Sequence, residues 1–261
     1  MNSKDSLIDV ANVFAREYGN TILPVNYVRG VSISGRLRLA RLLGDEGRVV
    51  SSIERLVDPV VAQFDMDSIR LMDGSVHSGY LWAHDLTDLT ADEKYMDLLV
   101  KVADLYLADE NPIDLDNRVE DIFFVGALLG RAYDFTNRED YANFLFNYLE
   151  QVNPQTHSNL WWHSNSSPYY WGRGNAFAAL GFAEALSFLP VTDTKFQKKG
   201  QETARNRIIE WVIENSFLAN KFYTKAGLSY PRQRTEDHLQ AASIEEILRF
   251  SLKTLMEIQA D

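Results

Sequence analysis

Tyr169-Tyr170-Trp171-Gly172-Arg173-Gly174-Asn175 is an odd way to begin an apolar helix. A helix start needs a cap. It does not need three aromatic rings, a permanent cation and two glycines. The guanidinium of Arg173 is a planar fork that grips a carboxylate with two hydrogen bonds. Its plainer reading is an arginine tying a loop to a nearby Asp. Gly172 and Gly174 would let a backbone approach a ligand, or they are bare turn glycines. Trp162, Trp171, Tyr169 and Tyr170 offer faces for a sugar ring, and equally anchors for a loop.

A second candidate is Asp121, just ahead of Ile122-Phe123-Phe124-Val125. An acid at a helix start is commonly a cap or a dipole partner. Beside so apolar a helix its carboxyl would be desolvated and its pKa raised, as a general acid requires. His163 follows Trp161-Trp162 and precedes a Ser/Asn loop. His77 and Asp73 share one short polar stretch. Each could serve a site or simply hold structure. His157, Glu184 and Lys198-Lys199 read as surface or packing residues. No HExxH, ligand-spaced carboxylate pair, phosphate loop or G-x-S-x-G elbow occurs, so neither a metal nor a cofactor is expected.

These residues need elements to place them. Leu42-Leu43-Gly44-Asp45-Glu46, Asp88–Tyr95 and Asp134–Tyr141 are polar turns between apolar helices. Gly44, Thr90 and Thr136 stand 46 residues apart, and a fourth turn lies at 189–193. A period of this size means stacked helical hairpins. The first helix of each hairpin is the more apolar: VSISGRLRLARLL, GYLWAHDLTDL, IFFVGALLGRAYDF and NAFAALGFAEALSFL, the last stopping at Pro190. The second helices carry one apolar stripe. The pattern predicts an all-α protein with two concentric layers, an α/α toroid or an open solenoid. In a toroid the inner helices run in one direction, and the loops leading into them gather at one end. Those loops, at Pro24–Tyr27, Met72–Gly79, Asn117–Asp121 and Trp161–Asn175, hold the unusual residues, Tyr27 among them. Helix N-termini favour anionic ligands.

Composition removes other classes. The chain has 261 residues, of which 46% are hydrophobic, enough for a single domain with a large core. There is no cysteine, hence no disulfide, thiolate metal site or cysteine nucleophile. The net charge of −11, without a basic run, argues against nucleic acid and anionic membrane surfaces. No apolar run approaches the roughly 18 residues of a membrane helix, and the first residues do not read as a signal peptide. A soluble cytoplasmic protein is expected.

The same residues resemble a family. WGRGNAF is similar to the W-x-R-G-N-G-W stretch of the unsaturated glucuronyl and rhamnogalacturonyl hydrolases, glycoside hydrolase families 88 and 105. VEDIFFVGALLGRAYDFTNREDY resembles their segment of Asp, aromatic pair and apolar helix, and LWWHSNSS resembles their Y-H-G-W stretch. The likeness covers about residues 25–190. It implies an (α/α)6 toroid and cleavage of sugars bearing a C4=C5 double bond. It implies Asp121 as the acid that protonates C4. Arg173, His163 and the Trp171 region would hold the sugar and its carboxylate, with Trp162, Tyr27 and Asn175 around them, Asn175 being open to a capping role. Asp73 or His77 would fill a second acidic position. Phe177 stands where Trp is usual and Ala176 where Gly is usual. Four hairpins and a divergent tail, 200–261, stand where six hairpins close the ring. An incomplete toroid, and with it a homo-oligomer covering the exposed flanks, is therefore expected. Two alternatives remain: a non-catalytic relative that binds sugar or protein, and a sugar epimerase using His77 with His163.

Overall fold

The computed structural model describes residues 3–108, 112–152 and 161–189. Within them the helices are α1 (Ser3–Glu17), α2 (Tyr27–Leu43), α3 (Glu46–Ala62), α4 (Met66–Arg70), α5 (Gly74–His77), α6 (Trp82–Thr90), α7 (Lys94–Asp104), α8 (Asp121–Thr136), α9 (Glu139–Gln151) and α10 (Gly172–Phe188). Short 3-10 turns cover Ser78–Tyr80 and Leu105–Leu107. Among the described residues no strand occurs, only a single bridge between Trp162 and Tyr170. The fold is all-α.

The expected hairpins α2–α3, α6–α7 and α8–α9 are present. The fourth turn runs past Leu189 and lies outside the described residues, as do His157, Lys198, Lys199 and the tail 200–261. The first helix of each of these hairpins ends in a left-handed residue, Gly44 after α2, Ala91 after α6 and Asn137 after α8. Behind the last two a threonine repeats one device. Thr90 Oγ1 donates to the Leu86 carbonyl at 2.8 Å and accepts from Asp92 N at 3.2 Å. Thr136 does the same with the Ala132 carbonyl at 2.6 Å and Arg138 N at 3.2 Å.

A second repeated device fastens the outer layer. Tyr95 on α7 donates to Asp58 on α3 at 3.0 Å, and Tyr141 on α9 donates to Asp104 on α7 at 2.6 Å. Lys94 and Arg138 lie over those two rings, at 4.6 and 4.3 Å, and pair with the same aspartates. Each outer helix is thereby clasped to the one before it.

α8 is buried without a break from Asp121 to Ala132, whereas α7 buries one stripe, Tyr95, Met96, Leu98, Leu99, Val102 and Ala103. That difference separates a wholly buried first helix from a second helix buried on one face. α2 departs from it. Only Gly30, Ile33, Ser34, Leu37 and Ala40 are buried, and Val28, Val31, Leu42 and Leu43 stay exposed. Four arginines at 29, 36, 38 and 41 keep its other faces in water. α8 and α10 cross in direct backbone contact, since a Cβ on Gly126 would lie 2.5 Å from the Gly181 carbonyl.

α2, α8 and α10 meet near their starts and again toward their ends, so they run in the same direction. Near their starts Tyr27 meets Phe124 and Phe177, with ring centroids 5.6 and 5.2 Å apart. Toward the ends of α2, α8 and α10, and in the first turn of α6, four polar pairs form a circuit. Arg38 joins α2 to Asp85 on α6 at 2.8 Å and to Glu184 on α10 at 3.4 Å. Arg131 on α8 joins Glu184 at 2.5 Å, and His84 on α6 joins Asp134 on α8 at 2.8 Å. Glu184, read from the sequence as a surface or packing residue, is a joint of this circuit: Arg131 is almost wholly buried and requires a counter-ion.

Candidate functional site

α10 begins at Gly172, three residues ahead of the stretch whose spacing marked it. Arg173, Gly174 and Asn175 therefore occupy its first turn, with Trp171 at the cap position and no side-chain cap. The Arg173 Cζ lies 4.3 Å over the Trp171 ring, and Nη1 donates to the Tyr27 hydroxyl at 3.2 Å. Among the described residues no carboxylate pairs with Arg173. It is an exposed cation on an aromatic plate, free to meet an anion.

His163 stacks flat on Tyr169, with centroids 5.5 Å apart and planes at 14°, and meets the Trp171 ring edge-on at 5.4 Å. Its Nε2 is 3.8 Å from Glu120 Oε1. Backbone bonds strap this stretch to the loop before α8. The His163 carbonyl accepts from Val119 N at 3.0 Å, and Asp116 accepts from Ser166 N at 2.9 Å. The hydroxyls of Ser164 and Ser166 hold the Asp116 carboxyl below its ordinary range.

Asn175 belongs to the strap. Its Oδ1 accepts from Trp161 N at 2.9 Å. Its Nδ2 donates to the Trp161 and Trp171 carbonyls at 2.9 and 3.1 Å. Buried and so engaged, it fixes the loop, which is the capping-type role that the sequence left open. Trp162 pairs with Tyr170 in the same strap and is half-buried.

Asp121 opens α8 and is 2% exposed. It does not cap its own helix. Oδ2 accepts from Asp114 N at 2.9 Å, and Oδ1 accepts from Arg118 Nη2 at 3.2 Å. Burial pushes its pKa up to about 6, against the pull of the Asp114 N–H and the Arg118 cation. Arg118 also donates to Asp73 Oδ2 at 3.3 Å, and its Nε is 3.9 Å from Asp114 Oδ2. Asp73 caps α5 by accepting from Ser75 N at 3.0 Å, with its side chain half exposed.

His77 stands apart from these groups. It is fully buried, with Nδ1 3.2 Å from the Tyr106 hydroxyl and Nε2 2.9 Å from the Ile69 carbonyl. Burial lowers its pKa, so it sits neutral in the core. Of the two alternatives in that stretch, Asp73 is the one joined to Asp121.

Two sets therefore share this end of the molecule. Tyr27, Arg173, Trp171, His163 and Glu120 line the side of α2 and α10. Asp121, Arg118, Asp114 and Asp73 lie on the other side, where Asp121 is within electrostatic reach of the buried Tyr106 and the half-buried Tyr148. Glu120 and Asp121 are neighbours in sequence but about 100° apart around the helix. Gly174, against Val119, holds the two sets together, since a Cβ there would lie 2.7 Å from Val119 Cγ1. Glu120, Asp114 and Asp116 were not singled out from the sequence. The signal was available in the spacing, because Arg118 is four residues after Asp114 and three before Asp121. Among the described residues no group of His, Asp and Glu is placed to hold a metal, and no helix is long and apolar enough to cross a membrane. The chain matches no protein-family model, and neither a curated protein nor a solved structure was found to match it.

Proposed function

We propose that this end of the molecule binds an acidic sugar and that the protein is an unsaturated uronyl hydrolase with Asp121 as its general acid. The observation that carries the reading is a buried carboxyl poised near 6 at one helix start, with an uncompensated guanidinium on a tryptophan at the next. Arg173 would take the sugar carboxylate, and Trp171 and Tyr27 would take the ring. Asp121 would give its proton to C4 of the enol ether. Water would add at C5 and return a proton to Asp121, and the hemiketal would open, expelling the partner sugar. On this reading α2, α6, α8 and α10 are the inner helices of a reduced toroid, closed by the circuit of polar pairs.

One observation favours a non-catalytic binder instead. Both oxygens of Asp121 are engaged, and its side chain is almost sealed. The epimerase reading has less support, because both ring nitrogens of His77 are occupied.

Incubation with unsaturated uronyl disaccharides, followed by loss of enol-ether absorbance, separates these readings. Asp121→Asn should lose about 100- to 10,000-fold in turnover while still binding. Wild-type turnover in that variant would sink the mechanism. Binding without turnover in the unaltered protein would establish the binder.

A further inference from the structure

Arg118 is placed among three acids, hydrogen-bonded to Asp121 and Asp73 with Asp114 farther off, and grips none of them bidentately. Its bonds to Asp121 and Asp73 are 3.2 and 3.3 Å, longer than the usual 2.7–2.9 Å of a guanidinium on a carboxylate. Its buried Nε has no hydrogen-bond partner. An arginine built to neutralise Asp121 alone would grip it bidentately. The two acids also differ. Asp121 is buried, whereas Asp73 is half exposed and fixed by its capping bond to Ser75 N.

We propose that Arg118 is a positioning residue with two stations: it covers Asp121 in the free protein and moves onto Asp73 to uncover Asp121 when an acidic sugar binds. The proposal rests on the reading of Asp121 as general acid. The bond to Asp73 is already in place, so leaving Asp121 takes the cation toward water without losing every partner. Asp121 then keeps the Asp114 N–H on Oδ2, and Oδ1 is freed on the side that Arg118 leaves. The other titratable groups that reach Asp121 are Asp114 and the hydroxyls of Tyr106 after α7 and Tyr148 on α9, while Asp73 reaches it through Arg118. Burial keeps both tyrosines protonated. With Arg118 gone, nothing cationic in that set holds the carboxylate ionised, so it takes a proton from solvent. That proton is the one delivered to C4 and recovered from the attacking water.

The test is a carboxyl NMR titration of Asp121 in the full chain, with and without saturating D-glucuronate, in the wild type, Arg118→Gln and Arg118→Lys. Glucuronate should raise the wild-type midpoint by about one pH unit or more. Arg118→Gln should begin with a raised midpoint and show little further rise. Arg118→Lys keeps the charge, guards against a folding defect, and should lose most of the rise because an ammonium cannot span both acids. A glucuronate-induced rise of the same size in Arg118→Gln would overturn the proposal, as would an unchanged wild-type midpoint. The titration needs no turnover. If the shifts appear while unsaturated disaccharides stay uncleaved, the two stations stand and the hydrolase reading falls.

Discussion

The two ends of the inner helices hold charge in opposite ways. At the C-terminal ends of α2, α8 and α10, which α6 meets with its first turn, Arg38, Asp85, Glu184, Arg131, His84 and Asp134 pair across every neighbouring helix, so each helix is tied to two others. At the N-terminal end, Arg173 has a tyrosine and a tryptophan but, among the described residues, no acid, and Arg118 is divided among three acids. The closed circuit resists change; the open end has charge left over for a ligand. Both ends suit the helix dipoles. Arginines near the C-termini are favourable, and a free cation at the N-termini enlarges a region already attractive to anions.

The sharpest way to break this comparison is to open the circuit. Glu184→Gln leaves Arg131, 2% exposed, without its counter-ion. Removing one partner of a buried pair costs about 3–5 kcal/mol. The urea midpoint should fall accordingly. Arg173→Ala, which removes an exposed cation at the open end, should change stability by no more than about 0.5 kcal/mol while weakening glucuronate binding. Equal losses of stability in the two variants would erase the distinction between the ends.

Asp121 gives the next largest effect, and its sign is specific. Its carboxyl titrates at about 6 in the fold, against an ordinary 3.8. Between those values the folded state holds a proton that the unfolded chain has released. Stability is therefore undiminished below 3.8, falls as pH rises through 6, and levels off above it. The displacement is worth up to about 3 kcal/mol. Asp121→Asn has no such titration, so from pH 4 to 7 it should gain on the wild type by about that amount. A constant difference between the two across this range would mean that Asp121 ionises as freely as it does in water.

The hairpins were legible because their signal is periodic and local. Turns 46 residues apart and apolar stripes survive without any knowledge of partners, and Gly44, Thr90 and Thr136 mark the turns as read. The circuit was not legible, because Arg38 and Glu184 are 146 residues apart and each looks like an ordinary charge on its own helix. The Asp58–Tyr95 and Asp104–Tyr141 clasps did lie in the sequence at the same period. They were missed because an Asp and a Tyr 37 residues apart advertise nothing until two outer helices are adjacent. At the open end, residue types marked Arg173, Asp121 and His163, but only burial separates Asp73 from His77 and turns Asn175 into a clamp.

One glycine pair and one lone glycine carry the comparison to its smallest effect. Gly126 and Gly181 are required by the fold, since their helices touch backbone to backbone. Gly172 is not so constrained: a Cβ built there meets nothing within 4 Å, and the residue is exposed at the first position of α10. Alanine at such a place removes freedom from the unfolded chain and typically adds about 0.4–1 kcal/mol. The fold therefore gives no reason for glycine at 172, and close approach of a ligand to that backbone would give one. Gly172→Ala should raise the unfolding midpoint slightly and weaken glucuronate binding, whereas Gly181→Ala should lower the midpoint because its helix must move away. Calorimetry on the same samples checks both. If Gly172→Ala binds glucuronate as the wild type does, the ligand does not pass over the start of α10, and Arg173 must reach it from the Tyr27 side alone.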